Sequence, residues 1–166
     1  MTTQTNLPVP SAKNAVEDTS SREFVTMLID GQLFGIPVLQ VQDVLGPQKI
    51  TRVPLAPKEV AGSLNLRGRI VTAIDVRTRL GLPPRDEELK SKSMSVVVDF
   101  GGEFYSLIVD QVGEVMALPA SDYEKTPATL NERWRDISDG VYRLKDMLLI
   151  VLDVRRLLKL ENQAAA

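Results

Sequence analysis

The stretch Gly62-Ser63-Leu64-Asn65-Leu66-Arg67-Gly68-Arg69-Ile70-Val71-Thr72-Ala73-Ile74-Asp75-Val76-Arg77 reads as two strands that meet at Gly68 and run into a capped turn at Asp75. Side chains alternate along a strand, so Leu64 and Leu66 share one face while Asn65 and Arg67 share the other. The first strand therefore sends a guanidinium to the side that is not committed to a core. The rigid fork of an arginine suits carboxylates and backbone oxygens. A solvated arginine on an ordinary strand accounts for the same pattern. At the far end, Asp75 is placed to cap a short helix, Val76 to Leu80, which Gly81 ends.

Working outward, composition bounds the class. A chain of 166 residues fits one domain or two small subdomains sharing a core. Twenty basic against 22 acidic residues leave a net charge of −2, which gives no electrostatic case for nucleic acid or an anionic membrane as a bulk partner. Histidine and cysteine are both absent, which excludes disulfides, thiolate chemistry, imidazole acid–base catalysis and zinc sites built on those residues. In the second half the longest apolar run, Met147 to Leu152, is far short of the roughly 20 residues a spanning helix needs. The amino terminus lacks the basic start and apolar core of a signal peptide, so the expectation is a cytoplasmic protein without membrane insertion.

Residues 1–21 are rich in Thr, Ser, Asn, Pro and Ala and read as a disordered tail. Phe24 to Ile29, the turn signal Asp30-Gly31, and Leu33 to Ile36 form a strand pair. Val38, Val41 and Val44 follow Pro37, and their β-branching favours a bent third strand over a helix. Pro47 to Pro57 is a crossing loop, and Pro57 to Gly62 suits one helical turn, with Pro at its start and Gly at its stop. Residues 83–93 hold a single apolar residue, Leu89, and read as a surface linker, while 161–166 reads as a tail.

Beyond the linker the first half returns. Val96-Val97-Val98, Gly101-Gly102 and Phe104 to Val109 repeat strand, turn, strand. Val112-Gly113-Glu114-Val115 echoes Val41-Gln42-Asp43-Val44 at an offset of 71 residues, and Leu148 to Arg155 echoes Arg69 to Arg77 at 78. The chain is internally duplicated. Each half carries about five short strands and a short terminal helix, the pattern of a small β-barrel. The expected fold is mainly β: two five-stranded barrels side by side with short helices. The expected boundaries are 22–82 for the first subdomain and 94–160 for the second, within one domain spanning 22–160. Exchange of a strand or of the final helix, Asp153 to Leu160, between the halves stays open.

No catalytic constellation emerges. Asp75, Asp110 and Asp153 each follow an apolar strand, but Asp75 and Asp153 occupy matching places in the two halves, where capping explains both. No nucleophile, base or metal cluster accompanies them. Gly101-Gly102 leads into a strand, whereas a phosphate loop opens a helix. Trp134, among Asn131, Glu132, Arg133, Arg135 and Asp136, reads as a packing anchor under a loop.

The ordered set Phe34-Gly35-Ile36-Pro37-Val38, Val41-Gln42-Asp43-Val44, Thr51-Arg52-Val53-Pro54, Gly62 through Asn65-Leu66-Arg67-Gly68 to Asp75-Val76-Arg77, and Val109-Asp110 with Val112 resembles the CheW family of chemotaxis coupling proteins, from Glu23 to about Leu160. The resemblance implies barrels of the Src-homology-3 type. It also implies a non-catalytic, cofactor-free adaptor that bridges the cytoplasmic tip of a chemoreceptor and the regulatory domain of the histidine kinase CheA, at receptor arrays on the inner face of the membrane. Arg67 matches the family arginine in the receptor groove, with Asn65, Val41, Asp43, Val44 and Met94 on or near that surface. Val112 and Val115 align with the part that meets the kinase. Both pseudo-equivalent ends meeting kinase barrels of the same type would build rings.

Asp43 stands where the family often has Glu, one methylene shorter, and Ser63 replaces a more usual apolar residue; receptor preference is expected to differ accordingly. Valine in a strand is usually core, so a packing role for Val41, Val44, Val112 and Val115 stands beside the surface role. Two other readings remain. One is a scaffold of the same family in a chemosensory system whose output is not flagellar motility. The other is a β-barrel for a small molecule or oligonucleotide, which calls for stacking aromatics on a basic face; aromatics make up 5% of the chain and the basic residues are dispersed.

Overall fold

The Asp30-Gly31 signal forms the hairpin that its residues favour. In the computed structural model, which describes residues 20–159, β1 (Ser21–Ile29) pairs antiparallel with β2 (Gln32–Pro37) across that turn. The two expected tails lie outside the described residues except at Ser20, whose carbonyl accepts from Ala120 N (2.9 Å), and Ser21, which pairs with Pro119 as the first residue of β1. A 3₁₀ turn at Val38–Gln40 then bends the chain into β3 (Val41–Leu45), the bent third strand read from Pro37 and the valines.

The hairpin of β4 (Val60–Leu66) and β5 (Arg69–Asp75) is the quoted stretch, with one correction. Arg67 is not a strand residue. With Gly68 it makes the turn, both at positive φ (54° and 83°), as a two-residue type I′ connection requires. The helical turn expected at Pro57 to Gly62 is also absent. Pro57 O accepts a single hydrogen bond from Val60 N (2.9 Å), and the chain enters β4 at once. Tertiary pairing overrides the Pro and Gly punctuation here, because Ser63 and Thr51 exchange two backbone hydrogen bonds of 2.8 Å. Gly62, at φ 149°, leaves room for that crossing.

Asp75 and Asp153 cap as expected. Asp75 accepts from Thr78 N (3.3 Å) at the start of α1 (Val76–Arg79). The linker is partly ordered as α2 (Glu87–Lys92), with Asp86 accepting from Leu89 N. β6 (Met94–Phe100) and β7 (Glu103–Val109) pair across Gly101-Gly102, and the long β8 (Gln111–Pro119) follows. The two-residue β9 (Tyr123–Glu124), α3 (Glu132–Arg135), β10 (Ser138–Arg143), β11 (Leu148–Leu152) and α4 (Val154–Leu157), capped by Asp153, complete the chain.

The strands form a six-stranded sheet, β8-β1-β2-β11-β10-β9, and a five-stranded sheet, β3-β6-β7-β5-β4. Two barrel-like sheets with short helices are thus present, and the short β9 makes one of them six-stranded. The sheets do not divide at residues 83–93. The first hairpin of each half has crossed to the other half's sheet: β2 lies parallel to β11, and β7 lies parallel to β5. The exchange left open by the sequence is therefore reciprocal and involves whole hairpins.

Burial explains the arrangement. Alternation splits β11 between two cores: Leu149 and Val151 face Phe24, Tyr142 and Leu118, while Ile150 and Leu152 face a central cluster with Met27, Phe34, Ile74, Val96 and Leu107. A third cluster joins Leu64, Val71 and Ala73 with Leu45 and Leu66. Leu45 lies on β3 and Leu64 on β4, the two edges of the five-stranded sheet, so that sheet curls back on itself. Each sheet buries one face in its own core and the other in the shared one. Trp134 meets Phe34 edge to face, with centroids 5.2 Å apart, and serves as the packing anchor it was read to be. Burial and the hydrogen bond to Asp139 push the Tyr123 phenol up to about 12.

Candidate functional site

At the tip of the β4–β5 hairpin, Arg67 Nη2 lies 2.8 Å from Asp43 Oδ2 on β3. The pair spans the seam between the sheet's two edges. The arginine side chain remains 75% exposed, while that of Asp43 is 23% exposed. Their contact falls outside good hydrogen-bond directions, so Asp43 Oδ2 has no hydrogen-bond partner among the described residues, whereas Oδ1 accepts from Val44 N (2.8 Å). Asn65 supports the turn, with Oδ1 accepting from Gly68 N (2.8 Å). This short-range bond holds the backbone that presents Arg67.

The valines separate. Val41 is partly buried against the central core, and Val44 is exposed. Val44 pairs with Val96, so it shares a face with Met94, two residues earlier on β6. Met94 Sδ in turn lies 3.4 Å from Val112 N, which brings together residues expected on two different surfaces. Val112 packs on the central core, whereas Val115 is 55% exposed on β8, an edge strand. Asp43, Val44, Asn65, Arg67 and Met94 thus form the accessible set around the β3 edge, with Val41 as its support.

A second ionic cluster lies where β5 and β7 end, and half of it was not legible. Arg77 Nε and Nη2 donate to Asp110 Oδ1 (2.9 Å) and Oδ2 (2.7 Å). Arg85, within the stretch expected to be a surface linker, is buried: Nε donates to Asp110 Oδ1 (2.9 Å), Nη1 to Asp75 Oδ1 (3.0 Å) and Nη2 to Ile108 O (2.9 Å). The amide of Asp30, from the β1–β2 turn, donates to Asp110 Oδ2 (2.8 Å). Burial alone pushes the Asp110 carboxyl up, but the hydrogen bonds from Arg77 and Asp30 and the charges of both arginines outweigh it and hold the group below its ordinary value. The Arg77 guanidinium is correspondingly raised, chiefly by its hydrogen bond to Asp110. The one sequence signal was Asp110 itself, an acid at the end of an apolar strand that needs a cation if buried.

Among the described residues no group of three or more acidic side chains converges as a metal-ligand set. No helix among them is long and apolar enough to cross a membrane. What the β3 edge offers chemically is recognition. A fork of donors already held by one carboxylate is set beside exposed apolar groups, and that suits a helix carrying an apolar stripe and an acceptor.

The chain as a whole is similar to known proteins. A family model described as "CheW-like domain" matches residues 23–162. The chain is 28% identical over 147 residues to chemotaxis protein CheW of Klebsiella aerogenes, covering 89% of this chain and 87% of that one. It is 26% identical over 151 residues to chemotaxis protein CheW of Bacillus subtilis, covering 90% and 95%. Among solved structures, the scaffolding protein TtCheW from Thermoanaerobacter tengcongensis superposes with a TM-score of 0.75 at 26% identity, covering 85% of this chain and 94% of that one.

Proposed function

The chain belongs to the CheW-like domain family, and from that premise we propose that it is a non-catalytic adaptor of chemotaxis signalling. It couples the cytoplasmic tip of chemoreceptors to the regulatory domain of the histidine kinase CheA, in the cytoplasm at receptor arrays. The observation that carries this reading is Arg67, held at positive φ on a hairpin tip, three-quarters exposed and paired with Asp43 on the adjacent edge. A non-glycine residue in that conformation costs free energy, and such strain gathers at functional positions. In this reading Arg67 sets the register of a receptor helix, Val44 and Met94 supply apolar contact, and Asn65 and Asp43 hold the arginine in place. Val115, exposed on β8, with Val112 behind it, meets the kinase.

Replacing Arg67 tests the receptor side. Arg67→Ala removes an exposed pair worth about 1 kcal/mol or less to stability, so the fold is kept. In a reconstituted mixture of receptor tips and kinase, receptor-dependent kinase activation is expected to fall with Arg67→Ala and further with Arg67→Glu, which sets like charge beside Asp43. Unchanged activation in both variants would remove Arg67 from the receptor surface.

A further inference from the structure

The C-terminal end of α4 overlooks a groove of about 480 Å³ lined by Phe100, Arg155, Arg156, Leu158 and Lys159. Lys159 also lines a second groove of about 410 Å³, whose walls include Lys58, Glu59 and Arg79. Arg79 fastens the two together, since its Nε and Nη2 donate to Leu157 O (2.7 Å) and Arg156 O (2.9 Å). Among the described residues, five cations therefore surround a double groove whose one lining acid is Glu59.

Four of the five cations are not matched by an acid among the described residues. Among the described residues Lys58, Arg155 and Lys159 have no ion-pair partner, and Arg156 holds Asp153 at 3.5 Å. Elsewhere Arg67, Arg77, Arg85 and Arg143 each pair with an acid, whereas cations without an ion pair among the described residues, such as Arg52 and Arg69, do not gather around a groove as these do. The chain as a whole carries −2, so this concentration is local. A second observation points the same way. Glu59 is only 6% exposed, and its Oε1 has no hydrogen-bond partner among the described residues. A buried acceptor left without a donor is costly, and an occupant that brings an N–H removes the cost.

We propose that this double groove docks an acidic peptide segment of a partner protein. Carboxylates of the segment meet Arg155, Lys159 and Lys58, an apolar side chain seats on the exposed ring of Phe100, and a backbone N–H donates to Glu59 Oε1. A membrane surface fits less well, because the cations line concave walls that also hold a carboxylate. A single-stranded nucleic acid asks for successive stacking rings, and Phe100 is the one aromatic lining the grooves. Arg67 lines neither groove, and the site does not depend on the role given to that residue.

Fluorescence polarisation with a labelled peptide of glutamates around a single leucine tests the proposal on the full chain. The wild type is expected to bind and to weaken as salt is raised. Arg155→Glu combined with Lys159→Glu weakens binding by about tenfold or more, a difference of about 1.4 kcal/mol. The milder pair Arg155→Ala with Lys159→Ala gives a smaller loss, and wild-type circular dichroism of both variants separates lost docking from lost fold. The proposal is overturned by absence of peptide binding, by equal binding to the charge-reversed variant, or by preferential capture on phosphatidylserine vesicles or oligothymidylate.

Discussion

Arg67 and Arg85 carry the same fork of donors, and burial decides its use. The Arg67 side chain is 75% exposed and that of Arg85 is 4% exposed. The exposed one is free to exchange its carboxylate for a partner's at little cost, whereas the buried one is locked to Asp75 and Asp110. Asp110 is the hub of that second set, and its removal leaves two enclosed guanidinium groups short of charge. Asp110→Asn is therefore expected to destabilise the protein by about 3–5 kcal/mol near neutral pH. The sign of its pH dependence follows from the lowered carboxyl. The stabilisation is complete above the unfolded-state value near ~3.9 and is lost as pH falls through the still lower folded-state value. Urea unfolding of wild type and variant across acid pH checks this. The gap between them narrows as the medium is acidified, and a gap constant down to the lowest pH would show that Asp110 is not the group concerned.

At the scale of elements, what was legible followed local chemistry. Asp30-Gly31 and Gly101-Gly102 marked hairpins, and Asp75 and Asp153 marked helix caps, because a turn or a cap is set by residues a few positions apart. Arg67 was misplaced by one position. The turn at Gly68 was seen, but the residue before it shares the left-handed backbone and so leaves the alternation of the strand. Arg85 escaped altogether, since Pro84-Arg85-Asp86 has nothing local to tell a buried arginine from a solvated one. The helical turn expected at Pro57 failed for a third reason, the distant Thr51 that pairs with Ser63. This last contact fixes Gly62. A Cβ there would fall on the carbonyl oxygen of Thr51 and 2.6 Å from Ile50, in a conformation that suits glycine alone. Gly62→Ala is expected to cost about 2 kcal/mol or more and to speed hydrogen exchange at the amides of Thr51 and Ser63 first. Unchanged exchange at both would mean that the crossing tolerates a side chain.

For the whole molecule, duplication was visible in the repeated motifs, but the partner of each hairpin was not. Strand pairing depends on which apolar faces meet in three dimensions, and the two halves present similar ones. The structure resolves the choice by exchange: β1 and β2 complete the sheet of the second half, and β6 and β7 complete that of the first. Neither 22–82 nor 94–160 then holds a whole sheet, so each alone is expected to stay unfolded by circular dichroism, while the two co-expressed reassemble. A half that folds by itself would contradict the exchange. The same interlocking, with the ion cluster joining the β1–β2 turn to the chain after β5, ties both candidate contact surfaces to one shared core. An adaptor is served by that shared core, because force or register applied at one surface must be felt at the other. The most direct measurement is a pull-down of this protein with a receptor signalling tip and a CheA regulatory domain together. The account predicts that both are retained at once, and that Arg67→Glu releases the tip while keeping the kinase domain; retention of neither would contradict it.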